Sequence, residues 1–397
     1  MEEWKEYKLE ELSKGKGAYG IGASAVPFSE NKFTYLRITD INDDGTLNKN
    51  GLMSVDDEDA NKYVLCKNDI VFARTGNSTG RSYFYDGTDG ILVYAGFLIK
   101  FSLDEKRVNP RILKYYTHSK PYYDWVKSFD TGGTRGNINA KTYGAMPILL
   151  PPHNVQDRIV EILKSLDDKI EVNRRINEQL EELAQALFKS WFVDFEPFKD
   201  GEFVESELGM IPKGWKVGTL DEVSKLIAGG DKPDIVSPNK TEGTQYPIYS
   251  NGIDNYGLYG FSDNYRIEEE SVTISARGTI GYVCLREEPY TPIVRLISVI
   301  PILEYVSAKF LYHSLRIKQI LGTGTTQQQL TVPMFRKTLL VIPPKDIVDS
   351  FTVKVNSMFA LRKKNQQEIT HLTNLRDTLL PKLMSGEIEV EQLNVIE

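Results

Sequence analysis

Apolar residues recur at heptad spacing in two long segments of this chain. The intervals follow the alternation of four and three residues that predicts a helix with a single apolar seam. The first seam is formed by Ile159, Leu163, Leu166, Ile170, Leu180 and Leu187. The second is formed by Phe351, Val355, Met358, Ile369, Leu372 and Leu379. The seams share one register at an offset of 192 residues, as from Ile159 to Phe351, so we expect the two helices to pair.

Asparagine interrupts both seams at the same point. Asn173 lies in the first seam, with Asn177 one turn later, and Asn365 lies at the position of the second seam that matches Asn173. A buried asparagine in such a seam fixes the register and the partner of a helix at a cost in stability. The alternative is that both side chains point to solvent, and the sequence leaves the two interpretations open.

The rest of the chain also repeats itself. Residues 4–14, WKEYKLEELSK, are similar to residues 215–225, WKVGTLDEVSK. GTRGNINAKTYGAMPILLPP (133–152) matches TTQQQLTVPMFRKTLLVIPP (325–344), and VFARTG (71–76) parallels TISARGT (273–279) with Ala73-Arg74 aligned on Ala276-Arg277. The offset changes along the chain, so the copies share their ends and differ inside by insertions. Two copies of a unit of roughly 200 residues predict two similar domains with a pseudo-two-fold relation.

The segments between the helices predict mixed domains. YVLCKNDIVFA and DGILVYAGFLIKF are apolar and β-branched, which is typical of buried strands, and Asn109-Pro110 predicts the start of a short helix. The predicted fold class is α+β, with two similar domains separated by two long helices. The predicted parts are residues 1–152 for the first domain, 153–198 for a central helix, 199–342 for a linker and the second domain, and 343–397 for a C-terminal helix and tail.

An aromatic cluster closes the first long helix and consists of Phe188, Trp191, Phe192, Phe195 and Phe198. So much apolar surface does not suit a free tether. It predicts docking, either on a domain of this chain, which is the simpler interpretation, or on a partner. The segment that follows, up to Gly214, is rich in glycine and proline and predicts a linker.

Composition narrows the setting of the protein. The chain has no run of 18 apolar residues, and its first residues, MEEWKEYKLEELSKG, contain no apolar signal segment. We therefore expect a soluble, cytoplasmic protein without a membrane partner. Cys66 and Cys284 lie in apolar runs and are expected to be buried and reduced. The net charge of -7 argues mildly against nucleic acid, but the excess is largest in residues 151–196, which carry six basic and ten acidic residues.

Three common motifs of nucleotide-binding and methyl-transferring enzymes are missing from the sequence. It lacks G-x-x-x-x-G-K-[ST], a strand-linked G-x-G-x-x-G, and the N-P-P-Y or D-P-P-Y tetrapeptide of amino-methyltransferases. The histidines are scattered at positions 118, 153, 313 and 371, so we expect no metal site and no nucleophile with a histidine base. SLDDK (165–169) is similar to part of a nuclease motif, but it lies on a predicted helix without an upstream acidic partner.

Three polar loops carry side chains that suit DNA. ARTGNSTGR (73–81), TGGTRGNIN (131–139) and GTGTTQQQLT (322–331) combine glycine with Arg, Asn, Gln and Thr. Glycine lets a backbone approach closely, arginine reads guanine edges, and asparagine or glutamine reads adenine edges. The alternative is that these residues only build turns, which is the commoner role of Gly, Thr and Asn.

These features together resemble a known family. PPHNVQDRIVEILKSLDDKIEVNRRINEQLEELAQALFKSWFVDFEPF (151–198), followed by SELGMIPKGWKVGTLDEV (206–223), is similar to the central region of type I restriction-modification DNA specificity subunits. LTNLRDTLLPKLMSGEI (372–388) is similar to their C-terminal helix. The resemblance covers the whole chain and is weak inside the two globular domains.

The resemblance implies how the parts divide the work. Each globular domain is then a target recognition domain that reads one half of a bipartite, asymmetric double-stranded DNA sequence. The helices pair as an antiparallel coiled coil whose length sets the gap. The subunit is not an enzyme and holds no cofactor. Two modification subunits use S-adenosylmethionine to methylate adenine, and two restriction subunits, where present, use ATP and Mg. The competing interpretation is a non-catalytic coiled-coil scaffold, or an unpaired specificity subunit, that binds protein partners without reading DNA.

Candidate DNA contacts follow from this resemblance and from side-chain chemistry, because the family has no shared contact motif in these loops. In the first domain they are Arg37, Arg74, Asn77, Arg81 and Arg135. In the second domain they are Asn251, Arg277, Gln327 and Gln328. Gln327 stands where Arg135 stands in the repeat, so we expect the two halves to prefer different bases.

Overall fold

A computed structural model describes residues 4–129, 136–320, 322, 329–388 and 390 of the chain. Its contacts divide the chain into two units. The first unit comprises residues 1–172 and 368–397, and the second comprises residues 173–367. Both points of division lie inside long helices, so each unit contains one globular domain and a segment of each helix.

The first unit folds into a mixed domain of short strands and helices. Its elements are β1 (Lys5–Lys8), β2 (Ala18–Tyr19), β3 (Ala25–Pro27), β4 (Phe33–Leu36), β5 (Met53–Val55), β6 (Asp69–Ala73), β7 (Ser82–Tyr85), β8 (Leu92–Tyr94), β9 (Leu98–Ser102), α1 (Pro110–Tyr116), α2 (Lys120–Lys127), α3 (Ala140–Gly144), β10 (Pro147–Leu150) and the start of α4 (His153–Phe192). One sheet has the order β2-β9-β6-β7, a second has the order β3-β5-β4-β8, and β1 pairs with β10.

The second unit contains the rest of α4 and a similar domain. Its elements are β11 (Phe203–Ser206), β12 (Gly209–Pro212), β13 (Lys216–Thr219), α5 (Leu220–Val223), β14 (Ser224–Ala228), β15 (Tyr246–Tyr249), β16 (Leu258–Ser262), β17 (Ser271–Ser275), β18 (Val283–Arg286), β19 (Thr291–Pro292), β20 (Leu296–Pro301), α6 (Ala308–Arg316), α7 (Val332–Phe335), β21 (Leu339–Ile342) and the start of α8 (Lys345–Ser385). Its sheets have the orders β14-β20-β17-β18 and β16-β15-β19, and two further pairs are β11 with β12 and β13 with β21.

The two domains repeat one arrangement of strands. A fully buried strand, β6 or β17, lies between two antiparallel neighbours, which are β9 and β7 in the first domain and β20 and β18 in the second. The pair of β1 with β10 recurs as β13 with β21, and the parallel pair of β4 with β8 recurs as β15 with β19. The predicted α+β class, with two similar domains and a long helix pair, is confirmed.

The strand register corrects the sequence alignment by one residue. In the turn after each buried strand, a glycine amide donates back to the strand. Gly80 donates to the carbonyl of Ala73 at 3.0 Å, and Gly281 donates to the carbonyl of Ser275 at 3.0 Å. Ala73 therefore corresponds to Ser275, and Arg74 corresponds to Ala276. The predicted alignment of Arg74 on Arg277 is wrong, because a shared Ala-Arg dipeptide is visible in the sequence and the strand register is not.

Aromatic side chains fill the core of each domain. In the first, Phe72 on β6 stacks on Tyr143 with ring centroids 4.7 Å apart. In the second, the aromatic cluster at the end of α4 packs within the same unit, and the ring of Phe198 lies 5.0 Å from that of Trp215. The prediction that this cluster docks on its own chain is therefore confirmed.

The long helices are paired within each unit. They have 40 and 41 residues, and a helix of that length spans roughly 60 Å. In the first unit, Leu163 near the start of α4 shares a core with Leu383 near the end of α8. In the second unit, Phe188 near the end of α4 shares a core with Phe351 near the start of α8. The two helices run antiparallel in both units, as the resemblance implies.

Every position of the predicted seams is withdrawn from solvent. The buried ones are Ile159, Leu163, Ile170, Asn173, Phe351, Val355, Asn365 and Ile369. The half-buried ones are Leu166, Leu180, Leu187, Met358, Leu372 and Leu379. Removal of these apolar surfaces from water stabilises the helix pair.

The seam asparagines are buried, with 2% of Asn173 and 6% of Asn365 exposed. The side-chain amide of Asn365 donates to Oδ1 of Asn177 at 3.0 Å. The amide of Asn177 donates to the carbonyl of Arg362 at 3.4 Å. The interpretation in which the asparagines point to solvent is therefore wrong. Because a buried amide without a partner is costly, these contacts favour the register that pairs them.

A carboxylate on α4 ties the first domain to the helices. Asp167 accepts hydrogen bonds from Lys114 Nζ at 2.7 Å, from the Tyr115 hydroxyl at 3.1 Å and from Arg376 Nη1 on α8 at 3.1 Å. Burial acts to raise the pKa of Asp167, but Lys114 and Arg376 outweigh it and hold that pKa below its usual value. The stability that Asp167 contributes is therefore complete at neutral pH and is lost as the pH falls through the lowered pKa.

The second unit has the same arrangement with other residues. Glu181 on α4 accepts a hydrogen bond from the Tyr312 hydroxyl at 2.8 Å and forms ion pairs with Arg316 on α6 and Arg362 on α8. In both units, a carboxylate joins a tyrosine and a cation of a short domain helix to an arginine of α8. We name these two clusters, centred on Asp167 and on Glu181, the carboxylate clamps.

Asp167→Asn is expected to lower the free energy of unfolding by about 1–3 kcal/mol, because it leaves Lys114 without its counter-charge and leaves Arg376 only the exposed Asp377. Asp168→Asn is the matched control. Asp168 is the next residue of α4 and pairs with Lys164 at the surface, so its loss is expected to cost under about 0.5 kcal/mol. Urea unfolding followed by circular dichroism measures both variants, and equal destabilisation would contradict the clamp.

A buried histidine makes the second unit sensitive to acid. His313 on α6 is fully buried, and its Nδ1 lies 3.0 Å from Oε1 of Gln185 on α4. Burial, reinforced by Arg316 and Arg362, lowers the pKa of His313 to about 3 from its ordinary 6.5. The unfolded chain therefore binds this proton first as the pH falls below 6.5, and the folded state loses stability.

We expect the wild type to lose about 2 kcal/mol more between pH 7 and pH 5 than His313→Phe does, measured by urea unfolding at each pH. The comparison of the two slopes removes the contributions of all other titrating groups. His371→Gln changes an exposed histidine of α8 and should keep the wild-type slope. If His313→Phe keeps that slope too, His313 is not held neutral by its burial.

Candidate nucleic-acid interface

The polar loop after β6 is held against the end of the sheet by backbone hydrogen bonds. The amide of Arg74 donates to the carbonyl of Phe97 at 3.1 Å, and the amide of Ile138 donates to the carbonyl of Arg74 at 3.0 Å. Asn77 lies exposed on the short helical turn Gly76–Ser78. The loop therefore presents polar side chains from a fixed backbone.

Arg74 lies over an exposed aromatic ring. Its guanidinium carbon is 5.1 Å from the centre of the Tyr19 ring, and Tyr19 is 43% exposed. The Tyr19 hydroxyl accepts a hydrogen bond from the amide of Ala140 at 3.1 Å, which holds the ring in place. A guanidinium positioned by stacking keeps its terminal donors for a ligand. Tyr19 is absent from the predicted contacts, although an aromatic residue directly before Gly-Ile-Gly is a signal that the sequence does show.

Two of the predicted contacts use their donors within the domain. Arg37 forms a bidentate pair with Asp40, with Nε 2.8 Å from Oδ2 and Nη2 2.6 Å from Oδ1. Arg81 donates to the carbonyl of Ile41 at 3.1 Å and pairs with Asp43 at 2.6 Å. Both arginines stabilise the same connecting segment of the domain. Contact with DNA stays a prediction for them, and it requires each to exchange a carboxylate for a phosphate or a base.

The structure brings two predicted contacts of the second domain together. The Nδ2 atom of Asn251 donates to the carbonyl of Arg277 at 3.0 Å. Arg277 follows β17, is half-buried, and has no ion-pair partner among the residues that the structure describes. A residue with an amide, after β15, therefore lies beside a residue with a cation, after β17, and these are the two groups that read adenine and guanine edges.

Three further predicted contacts, Arg135, Gln327 and Gln328, lie outside the described residues, and their assignment stays a prediction. The residues just beyond them bind the loops that follow β6 and β17, which we call the strand-end loops. The amide of Ile138 donates to the carbonyl of Arg74 at 3.0 Å in the first domain, and the amide of Leu330 donates to the carbonyl of Ala276 at 2.9 Å in the second. These two residues are also aligned in the sequence repeat, so this part of the alignment agrees with the backbone.

Titratable side chains in the described ranges do not form a metal centre. No group of three or more His, Cys, Asp or Glu residues among them is placed to hold a metal ion. Asp167, in the string that is similar to a nuclease motif, belongs to a carboxylate clamp.

The two cysteines differ in exposure. Cys284 is buried, and burial raises the pKa of its thiol. Cys66 is exposed, so the prediction of burial is wrong for this residue, because β6 begins only at Asp69 and leaves Cys66 in the preceding turn.

Neither long helix, nor any other helix in the part of the chain that the structure describes, has an apolar stretch of the length needed to cross a bilayer. The side chains at the strand ends include arginine, asparagine and aromatic groups. Such groups hydrogen-bond and stack, so they suit recognition of bases and phosphates.

Comparison with known proteins also finds two similar domains in this chain. The family model described as the type I restriction modification DNA specificity domain matches residues 1–182 and 212–371. The chain is 27% identical to the type I restriction enzyme HindI specificity subunit of Haemophilus influenzae, over 98% of this chain and 100% of that protein. It is 29% identical to the type I restriction enzyme MjaIX specificity subunit of Methanocaldococcus jannaschii, over 71% of this chain and 69% of that protein.

The fold is also similar to that of a solved protein. The crystal structure of the S subunit of a type I restriction-modification system from M. genitalium matches with a TM-score of 0.59 and 17% identity, and the match covers 96% of each chain. That likeness concerns the fold alone. The family model covers more than half of the chain, with one match for each copy of the repeat. The chain therefore belongs to the family of type I restriction-modification DNA specificity subunits.

Proposed function

We propose that this specificity subunit reads a bipartite, asymmetric DNA sequence, with one half-site for each domain. The observation that carries the proposal is one sheet, built twice, with different side chains at its loop end. Arg74 follows the buried strand of the first domain, whereas Ala276 occupies the equivalent place in the second domain and Arg277 comes one residue later. Two domains with one backbone and different hydrogen-bond donors suit two different base sequences.

In this proposal the chain positions other subunits and makes or breaks no bond itself. The sequence is repeated at the ends of both domains, which suits two copies of one modification subunit. Those subunits bind S-adenosylmethionine and methylate N6 of adenine after the base is flipped out of the duplex. Two restriction subunits, with ATP and Mg, join the same cytoplasmic assembly where cleavage occurs.

The paired helices, in the same proposal, set the number of base pairs between the half-sites. Both helices run without a break, over 40 and 41 residues. In each unit the helices contribute side chains to the core of the domain, and a carboxylate clamp adds ion pairs between them. A domain attached by burial and by charge has little freedom to rotate on its helices, which favours one fixed gap.

Arg74→Ala and Arg277→Ala are each expected to relax base preference in one half-site only, by roughly tenfold at one base pair. Methylome sequencing of cells that carry each variant with the modification subunit reads the motif directly. Arg107→Ala and Arg336→Ala are the matched controls, since these exposed arginines form ion pairs within their own domains. Loss of preference in both half-sites from a single variant would contradict the assignment of one domain to one half.

A repeat of residues 171–177 in α4 and of residues 363–369 in α8 adds one heptad to each helix. We expect the gap in the methylated motif to grow by about three base pairs, because seven residues add roughly 10 Å of helix and DNA rises about 3.4 Å per base pair. The bases of both half-sites should stay the same. The insertion in α4 alone is the control, since it breaks the shared register and should destabilise the subunit. A functional double insertion with an unchanged gap would show that the helices do not set it.

A scaffold that holds protein partners without reading DNA is the competing function. The complex of this chain with its modification subunit distinguishes the two, because only a DNA reader retains a duplex carrying the methylated motif. Affinity that depends on phosphate contacts falls steeply with added salt, which provides a second measurement. Retention of the modification subunit without the duplex supports the scaffold, and methylation or cleavage by the purified chain alone contradicts a non-catalytic role.

A further inference from the structure

A four-residue turn precedes β9 in the first domain and β20 in the second, and its hydrogen bonds are the same in both. In residues 95–98 the amide of the fourth residue donates to the carbonyl of the first at 2.8 Å, and in residues 293–296 it does so at 3.2 Å. The amide of the second residue donates to a carbonyl of a neighbouring segment, from Gly96 to Ile21 at 2.7 Å and from Val294 to Gly230 at 2.8 Å. The carbonyl of the third residue accepts from the strand-end loop, at 3.1 Å for Phe97 and 2.9 Å for Arg295. Phe97 and Arg295 therefore occupy equivalent positions.

Close backbone packing holds both turns in place. A Cβ atom on Gly20 would lie 2.2 Å from the carbonyl oxygen of Ala95, and one on Gly229 would lie 2.3 Å from that of Ile293. Only glycine allows two backbone segments to approach so closely. The amides of both glycines also donate to the last residue of their turn, at 3.2 Å and 2.7 Å. Each turn is thus pre-organised before any ligand binds.

The third residue of the turn is exposed in both domains and differs in kind between them. Phe97 is 58% exposed, and Arg295 is exposed as well. Within the described ranges Arg295 has no ion-pair partner, in contrast to Arg37 and Arg81. Backbone hydrogen bonds place Phe97 next to Arg74 in the first domain and Arg295 next to Ala276, the neighbour of Arg277, in the second. Neither residue was among the predicted contacts.

We infer that this position reads one base pair in each half-site, with Phe97 against the methyl group of a thymine and Arg295 in a bidentate contact to a guanine. The inference rests on the proposed function and names the base that each domain prefers at one position. Thymine alone carries a methyl group at the major-groove edge, and O6 and N7 of guanine match the guanidinium fork. A side chain on a rigid turn loses little freedom on binding, so its contact discriminates well.

The test measures binding of the complex with the modification subunit to duplexes that carry the methylated motif. Each thymine is replaced in turn by uracil, which lacks the methyl group, and each guanine by 7-deazaguanine, which lacks the N7 acceptor. We expect one uracil position in the first half-site and one 7-deazaguanine position in the second to weaken wild-type binding roughly tenfold. Phe97→Ala should bind as weakly as the wild type binds the uracil duplex and should no longer distinguish the two bases. Arg295→Ala should behave in the same way toward its guanine.

A conservative variant and two controls separate base reading from other roles. Arg295→Lys keeps the positive charge but replaces the planar fork with a single ammonium, so it should distinguish guanine from 7-deazaguanine less strongly than the wild type does. Phe28→Ala changes another exposed phenylalanine of the first domain, and Arg336→Ala changes an exposed arginine of the second. Both controls should keep the wild-type pattern. The urea midpoint of each variant shows that it is folded.

Three outcomes would overturn the inference. The first is a wild-type complex that binds all modified duplexes equally. The second is a Phe97→Ala or Arg295→Ala complex that binds every duplex more weakly by one common factor, which indicates a phosphate contact. The third is an Arg295→Lys complex that distinguishes guanine from 7-deazaguanine as strongly as the wild type does. These outcomes leave the proposed function intact, whereas a wild-type complex with no sequence-dependent binding overturns both.

Discussion

The apolar seam of α4 and α8 is the constraint on which the rest of the structure depends. In the first unit the seam is continuous with the domain core through Leu163 and Leu383, and in the second through Phe188 and Phe351. Full burial of one such side chain is worth roughly 1.5–3 kcal/mol, so a domain cannot leave its helices without a large loss of stability. The helices are therefore part of the core of each domain.

Polar contacts add direction to that burial. Apolar surfaces tolerate small shifts along a helix, but a buried amide or carboxylate is stable only where its partners are. Asn365 meets Asn177, and Asp167 and Glu181 each collect a tyrosine hydroxyl and cations from two elements. The two clamps use different residues, and the carboxylate lies on the helix that follows the domain in the first unit and on the helix that precedes it in the second.

The two copies of the repeat share backbone hydrogen bonds and differ in the side chains that the backbone presents. The backbone bonds of the buried strand and of the turn before its neighbour are the same in both domains, and a glycine stands at the tight approach in each. Side chains that project from this frame differ, as Phe97 and Arg295 do. The same frame also shows that residue type alone does not reveal a role. Arg37 is bound to Asp40 within its domain, whereas Arg295 is exposed.

Periodicity and repetition are properties of the chain itself, and for that reason the sequence by itself determined the helices, their shared register, the doubled domain and the family. Strand register is not such a property, and the alignment of Arg74 with Arg277 failed there. The burial of Asn173, the exposure of Cys66 and the stacking of Arg74 on Tyr19 were decided only by the tertiary structure. Each depends on residues that are far apart in the sequence and become neighbours only when the chain folds, since burial and pairing are set by what packs against a side chain and not by its own identity.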